Sequence, residues 1–489
     1  MTGLHRHMLA PLLVLGASSV LAPAGGQPPA GGKSQAVPRQ PNIVMIFTDD
    51  QRADSLGCTA HPFVKTPNID SLAREGIRFD NMFVITSLCC PSRATVLSGL
   101  YTHLTGVSEN GQDLSYDAST PYLPRLLKEA GYTTAFIGKY HMGKKAFPRP
   151  DFDYWAAMDQ NGGRGKYIDP RLNINGKVTA SVGHSTDVLS GLALDWLKER
   201  QDKPFFLLLS LRNLHFPWTP PPRHAGMYRD APVELPASFN DSLDLLPGAG
   251  GEKQYTKLTG NLINQFSDRK VGVTQFVRDY ARMVPSIDEN VGLLIQQLKK
   301  SGLYDNTVFL YSSDNGFLLG EHGLVRKGLF YEPSIRVPLL IRYPPRLPAG
   351  VRVDAQALNL DLAPTLLDLA GVPRPMAMQG RSLIPVARGE QDSWRQDWLF
   401  MEQYPEGGSP PLLAVRGERW KYVRAWGETV EEELFDLAGD PGERRNLAGE
   451  AAHGSRLETM RRRMKELLLE VKAPGEWMAG PATADPSSQ

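Results

Sequence analysis

The 489-residue chain is poor in the features that announce many protein classes. It has three cysteines, so any pairing leaves one thiol over and a fully bridged framework is excluded. Its 54 lysines and arginines meet 53 aspartates and glutamates, for a net charge of +1. That balance removes the global basic field that nucleic-acid binding or general steering of polyanions would need, so affinity for an anion has to come from local groups. Beyond the N-terminal stretch no apolar run approaches the length of a membrane span, and none is expected in the mature chain. No internal repeat is present, and low complexity is confined to the leader.

What is there begins with export. Residues 1–26 combine Arg6, an apolar run over 8–15 and a small-residue Ala22-Pro23-Ala24, the pattern of a cleaved signal peptide, which places the protein in the periplasm or outside the cell. Residues 27–40 read as a flexible leader. The length exceeds what one compact core supports, so one large and one smaller domain are expected: 41–375 and 376–480, with a tail over 481–489.

The stretch Ser87-Leu88-Cys89-Cys90-Pro91-Ser92-Arg93 sets a thiol, a proline, a hydroxyl and a guanidinium at the mouth of a short helix. Unpaired N–H groups at such an end favour an anion, which makes it a seat for a nucleophile and an oxyanion together. The alternative is a buried thiol pair or one arm of a disulfide.

Four apolar runs end in chemistry. Residues 43–47 stop at Thr48-Asp49-Asp50, 132–137 at Lys139-Tyr140-His141, 205–211 at Asn213-Leu214-His215, and 307–311 at Asp314-Asn315-Gly316. Short apolar runs of this kind, the first of them β-branched, are strands buried on both faces of a parallel sheet, and ligands bind at the carboxyl ends of such strands. Helical patterns alternate with them over 67–76, 123–131, 187–200 and 279–300, with Ser185-Thr186 as the cap of the third. The class is therefore α/β, a mostly parallel sheet with helices on both faces. Residues 216–270 read as a long excursion over the site. After residue 375 come strands over 398–401, 412–415, 420–423 and 433–437 and a helix over 456–471, a smaller antiparallel sheet with a helix. His61, His103 and His184 read as surface or packed histidines, His103 being the one nearest to reaching substrate. Arg419, Lys421, Arg424 and Glu431-Glu432-Glu433 read as a solvated face, and Arg461-Arg462-Arg463 as helix surface.

Read as C-x-P-S-R, the motif at Cys89 resembles the signature of the type I sulfatases, of the alkaline phosphatase superfamily. PNIVMIFTDDQ, GKYHMGK, NLHFPW, SSDNGFLLGEHGLVRKGLFYE, DLAPTLLDLAGV and ELFDLAGDPGERRNL look like sulfatase segments in the family's order. The resemblance implies that a separate maturation enzyme oxidises Cys89 to formylglycine, and that Asp49, Asp50, Asp314 and Asn315, with residue 89, hold one calcium ion. An oxygen-only donor set fits that hard cation. It also implies that Arg93 steadies the formylglycine, that Lys139 and Lys327 contact the sulfate, that His141 is the base on the hydrate, and that His215 stands near the leaving oxygen. The implied activity is hydrolysis of a sulfate ester. The CCPSR spelling is similar to that of glucosamine-6-sulfatases and other glycosaminoglycan sulfatases, which points to a sulfated carbohydrate. A phosphoester or phosphonate hydrolase of the same superfamily, and a non-catalytic relative that only retains sulfated glycans, are the competing readings. The oligomeric state and the pairing of Cys58 with Cys90 are left open.

Overall fold

The computed structural model describes residues 40–117, 119–143, 145–160, 163–199, 203–241, 269–391, 394–402, 412–426 and 430–479. The signal peptide, the leader and the middle of the 216–270 excursion lie outside them. Ten strands form the main sheet: β1 (Asn42–Thr48), β2 (Ile77–Phe79), β3 (Thr133–Gly138), β4 (Tyr154–Met158), β5 (Arg171–Ile174), β6 (Lys177–Ala180), β7 (Phe205–Ser210), β8 (Thr307–Ser313), β9 (Leu339–Arg342) and β10 (Val351–Val353). Their spatial order is β10-β2-β9-β8-β1-β7-β3-β4-β5-β6. The centre, β8-β1-β7-β3-β4, is parallel, while β9, β5 and β6 run antiparallel to their neighbours.

The central strands are apolar on both faces because both faces are covered. Val44 and Ile46 of β1 join one buried cluster and Ile43, Met45 and Phe47 the other. Helices α1 (Pro67–Arg74), α2 (Cys89–Ser98), α3 (Leu123–Glu129), α4 (Ser185–Lys198), α5 (Arg269–Arg282), α6 (Val284–Lys300) and α7 (Leu362–Ala370) supply the cover. The pattern over 279–300 is two helices, not one. Pro285 lacks the N–H a continuing helix would need, so α6 restarts with that proline in its first turn.

The second sheet is antiparallel in sequence order: β11 (Asp397–Glu402), β12 (Leu412–Gly417), β13 (Trp420–Trp426) and β14 (Val430–Asp436), packed on α8 (Gly454–Glu470). Two expectations fail here. Lys421 is wholly buried and Glu433 nearly so, and the expected solvated face is partly interior. Lys421 bonds Glu443 and Glu332 at 2.7 Å each. His103 is a packed histidine as read, its Nε2 donating to Val471 O at 3.0 Å and its ring lying against Trp477, so it braces the C-terminal segment. His184 rather than Ser185-Thr186 caps α4, its Nδ1 accepting from Thr186 N, while Thr186 Oγ1 donates to Asn213 Oδ1 at 2.5 Å. Among the described residues no helix is long and apolar enough to cross a membrane.

Candidate active site

The tips of β1, β3, β7 and β8 converge, as parallel strands ending at one sheet edge must. Backbone bonds lock them together: Asp49 N to Asn213 O at 2.7 Å, Lys139 N to Ser210 O at 2.8 Å and Asp314 N to Thr48 O at 3.2 Å. Gly138 makes the β3–β7 approach feasible, because any Cβ there would strike the Ser210 carbonyl. Asp50 and His141 take left-handed backbone at φ 59° and 60°. Non-glycine residues in that region store strain of roughly 1–3 kcal/mol each, a cost found where side chains are aimed for function.

Helix α2 points its N-terminus at this edge with Cys89 as its first residue, Leu88 as N-cap, and Gly99 in αL closing its far end. All three cysteines are free, so the sulfur of residue 89 is in no bridge. Its Sγ lies 3.4 Å from Asp49 Oδ1, 4.0 Å from Asp50 Oδ1 and 2.7 Å from Lys327 Nζ. Burial, then the neighbouring Asp49, pushes the thiol far above its ordinary range, so the unmodified sulfur is a protonated, inert group.

Ligand atoms of Asp49, Asp50, Cys89 and Asp314 all lie within 4.8 Å of one another, and His215 shares a similar cluster with Asp49 and Cys89. Burial alone would raise all three carboxyls. Lys139, with His215, Lys327 and Arg93 behind it, instead carries Asp49 well below the carboxylate range. Burial and then Asp49 lift Asp314 to about 6, and burial, aided by Asp49 against the pull of Lys327, raises Asp50. Asn315 donates from Nδ2 to Asp50 Oδ1 at 2.7 Å and to Gly316 O at 2.8 Å, while its Oδ1 is buried without a partner. Crowded carboxylates and an orphaned amide oxygen are the donor set of a hard divalent cation, and the residues fit one.

The cations interleave with this cage. Lys139 Nζ bonds Asp49 Oδ2 at 2.5 Å, both fully buried, and Lys327 Nζ bonds Asp50 Oδ1. Arg93 does not touch Cys89 by hydrogen bond. It donates from Nε to Asp314 Oδ2 at 2.9 Å and from NH1 to Lys139 O at 2.7 Å and Ser210 Oγ at 2.6 Å. Ser210 is a positioning residue the sequence reading passed over; its signal was a hydroxyl closing an otherwise apolar strand. Tyr167 is another, its hydroxyl donating to His215 O at 2.7 Å and Arg212 O at 3.0 Å. His215 Nδ1 sits 2.5 Å from Phe216 O, and since a carbonyl only accepts, Nδ1 carries the proton. His141 keeps its Nδ1 buried without a partner. Burial lowers both histidines, with Lys139 and Arg93 adding to it at His141 and Lys327 and Lys139 at His215, so both rings are neutral.

A cation-lined cluster with one buried nucleophile position and a hard-cation donor set defines a hydrolase of charged esters. The comparisons say which. The sulfatase family model matches residues 41–372, and a model of the C-terminal part of N-sulphoglucosamine sulphohydrolase matches 320–470. The N-acetylglucosamine-6-O-sulfatase of Bacteroides thetaiotaomicron is 31% identical over 491 residues, covering 89% of this chain and 87% of that protein. Human N-acetylglucosamine-6-sulfatase is 32% identical over 404 residues, covering 76% and 68%. A structure solved in complex with its substrate D-glucosamine-2-N,6-O-disulfate superimposes with a TM-score of 0.80 at 30% identity, covering 89% of this chain and 98% of that one. The chain belongs to the sulfatase family and is a sulfuric ester hydrolase.

Proposed function

We propose that this protein removes sulfate from a sulfated carbohydrate of the glycosaminoglycan or N-acetylglucosamine-6-sulfate type, after export and after a maturation enzyme converts Cys89 to formylglycine. The observation that carries the reading is the convergence on Cys89 Sγ of Lys327 at 2.7 Å and Asp49 at 3.4 Å, with Lys139, His215 and Arg93 immediately behind. The substrate class is supported by the glucosamine sulfatases among its relatives. We assign catalysis to residues 41–375 and a supporting role to 376–480.

Asp49, Asp50, Asp314 and Asn315, with residue 89, would hold calcium. That ion supplies Lewis-acid polarisation and charge neutralisation where the nucleophile forms. Formylglycine supplies a hydrated aldehyde, whose second hydroxyl allows release of sulfate where a serine would stay esterified. Lys139 and Lys327 bind the non-bridging sulfate oxygens and stabilise charge that spreads over them during S–O cleavage. Arg93 orients Asp314 and the Lys139 backbone, and so fixes the cradle. His141 Nδ1, neutral and without a partner, takes up the proton from residue 89. His215 or Lys327 returns a proton to the leaving oxygen; for His215 the arriving anion favours protonation of Nε2, the nitrogen not committed to Phe216.

A sulfate-release screen across defined sulfated mono- and disaccharides, run beside an aryl sulfate and an aryl phosphate, tests the reading. Release from a glucosamine sulfate and preference for the aryl sulfate are expected. Faster aryl phosphate cleavage would assign the chain to phosphoester chemistry. Intact mass of the residue-89 peptide decides the nucleophile: a CHO in place of CH2SH is expected, and unmodified cysteine in active enzyme refutes it.

A further inference from the structure

A second cavity, of about 510 Å³, opens on the main sheet away from Cys89. Its floor is β2, β9 and β10, and its wall is the loop from Ala53 to Ala60 that leaves the catalytic tip of β1. Three guanidiniums line it: Arg78, Arg336 and Arg352.

Arg78 and Arg352 are register partners on the adjacent strands β2 and β10, so their side chains leave the same face side by side. Like charges placed so are destabilising unless something compensates. The compensation present is Asp80. It accepts from Arg78 Nε at 2.6 Å and from Arg352 Nε at 2.9 Å, and its backbone carbonyl accepts from Arg336 Nε at 2.7 Å. The other carboxylate in the wall, Asp54, is taken by Arg52 at 2.7 Å. Within the lining, three positive charges thus share the one carboxylate of Asp80; Arg78 also donates to Cys58 O and Arg352 lies near Asp354 outside the lining, while Arg336 is bonded only to a neutral carbonyl among the described residues.

A staple for an edge strand needs one such pair. The positive charge left over around an open cavity suits a tetrahedral oxyanion, which would share these guanidiniums with Asp80. We propose that this cavity is a second oxyanion site, taking a sulfate group either free or carried on a saccharide. Ala53 N donates to Arg336 O at 3.3 Å, which ties the wall of this cavity to the segment that carries Asp49 and Asp50. The site requires none of the chemistry assigned to Cys89.

Equilibrium dialysis of the full-length chain carrying Cys89→Ala, which cannot consume ester, tests this with labelled inorganic sulfate and, separately, a labelled sulfated disaccharide. Two equivalents per chain are expected with inorganic sulfate. Adding Arg352→Ala, at a side chain 68% exposed and outside the core, should weaken one equivalent at least tenfold and leave the other. Arg336→Lys, which keeps charge but loses the fork, should weaken the same equivalent less. A second equivalent with the disaccharide assigns the site to the glycan; its appearance with inorganic sulfate alone assigns it to the product. One equivalent in every chain, or two that survive Arg352→Ala, overturns the proposal. In the Cys89-containing enzyme Arg352→Ala should leave turnover of a small aryl sulfate unchanged, and absence of that turnover would count against the catalytic reading alone.

Discussion

Replacing Lys421 with methionine should be among the most damaging single changes outside the crevice. Its ammonium is fully buried and bonds Glu443 and Glu332 at 2.7 Å each and Phe330 O at 2.9 Å. Glu332 keeps a second partner in Arg416 at 3.2 Å, whereas Glu443 is left with the Glu332 N–H at 2.8 Å as its remaining donor. Breaking a buried pair while one charge stays behind costs about 3–5 kcal/mol. By that figure the folded-to-unfolded ratio falls by roughly two to nearly four powers of ten. Urea unfolding of the wild type, Lys421→Met, Glu443→Gln and the double variant measures it. The double variant should be less damaged than the sum of the singles by about 1.5 kcal/mol or more, since removing both charges removes the stranded carboxylate. The residues spanned are functional as well. Glu332 follows Lys327 by five positions, so loosening this knot should also lower activity before unfolding begins. Additive singles, or a Lys421→Met cost under about 1 kcal/mol, would show that the group is solvated and the reasoning wrong.

Lys327→Ala should cost about 100- to 1,000-fold in kcat/KM on an aryl sulfate, the scale of one lost oxyanion donor, and should also lower stability in the same urea assay because Asp50 loses its buried partner; a change in kcat/KM under tenfold in the folded variant would remove it from the sulfate cradle. Asn315→Ala removes the orphaned Oδ1, and calcium titration by calorimetry should show affinity down by about 10- to 100-fold; unchanged affinity would take Asn315 out of the cage. Burial would raise Glu332, but Lys421 and Arg416 more than offset it and hold it at about 2, against 4.5 unperturbed. The folded-state value is the lower one, so its contribution is present above pH 4.5 and is lost as pH falls toward 2; acid titration of stability should flatten over that window in Glu332→Gln.

Much of the site was legible because strand ends are legible. Each run from 43–47 to 307–311 is short and mostly apolar and then stops on a charged or chelating group, and the structure brings Asp49, Lys139, His215 and Asp314 to one edge. Lys327 belongs to no such strand and was reached through the order of segments alone. What stayed hidden depends on partners distant in the chain. Lys421 alternates with Val423 and Ala425 on one face of β13, so the period-2 rule would have turned it inward, yet only Glu332 and Glu443 make an inward lysine tolerable. The cap of α4 was missed because a histidine ring can replace a hydroxyl as acceptor, which sequence preference does not rank highly. His103 is packed as read, but its partner could not be named from sequence, because the Val471 carbonyl lies 368 positions away.

The charges at the crevice explain why so many ionisable groups can be buried together. Asp49, Asp50 and Asp314 carry three negative charges, and Lys139, Lys327 and Arg93 carry three positive ones, each cation bonded to its own carboxylate. The cluster is neutral as it stands, which keeps the desolvation cost of six buried ions in check. A divalent cation held by the same oxygens would add two positive charges and compete with Lys139 and Lys327 for Asp49 and Asp50. The lysines would then have charge to offer and no carboxylate that needs it, and a sulfate ester is the complement. On the proposed mechanism the cage and the cradle are one device, in which filling the first would prepare the second.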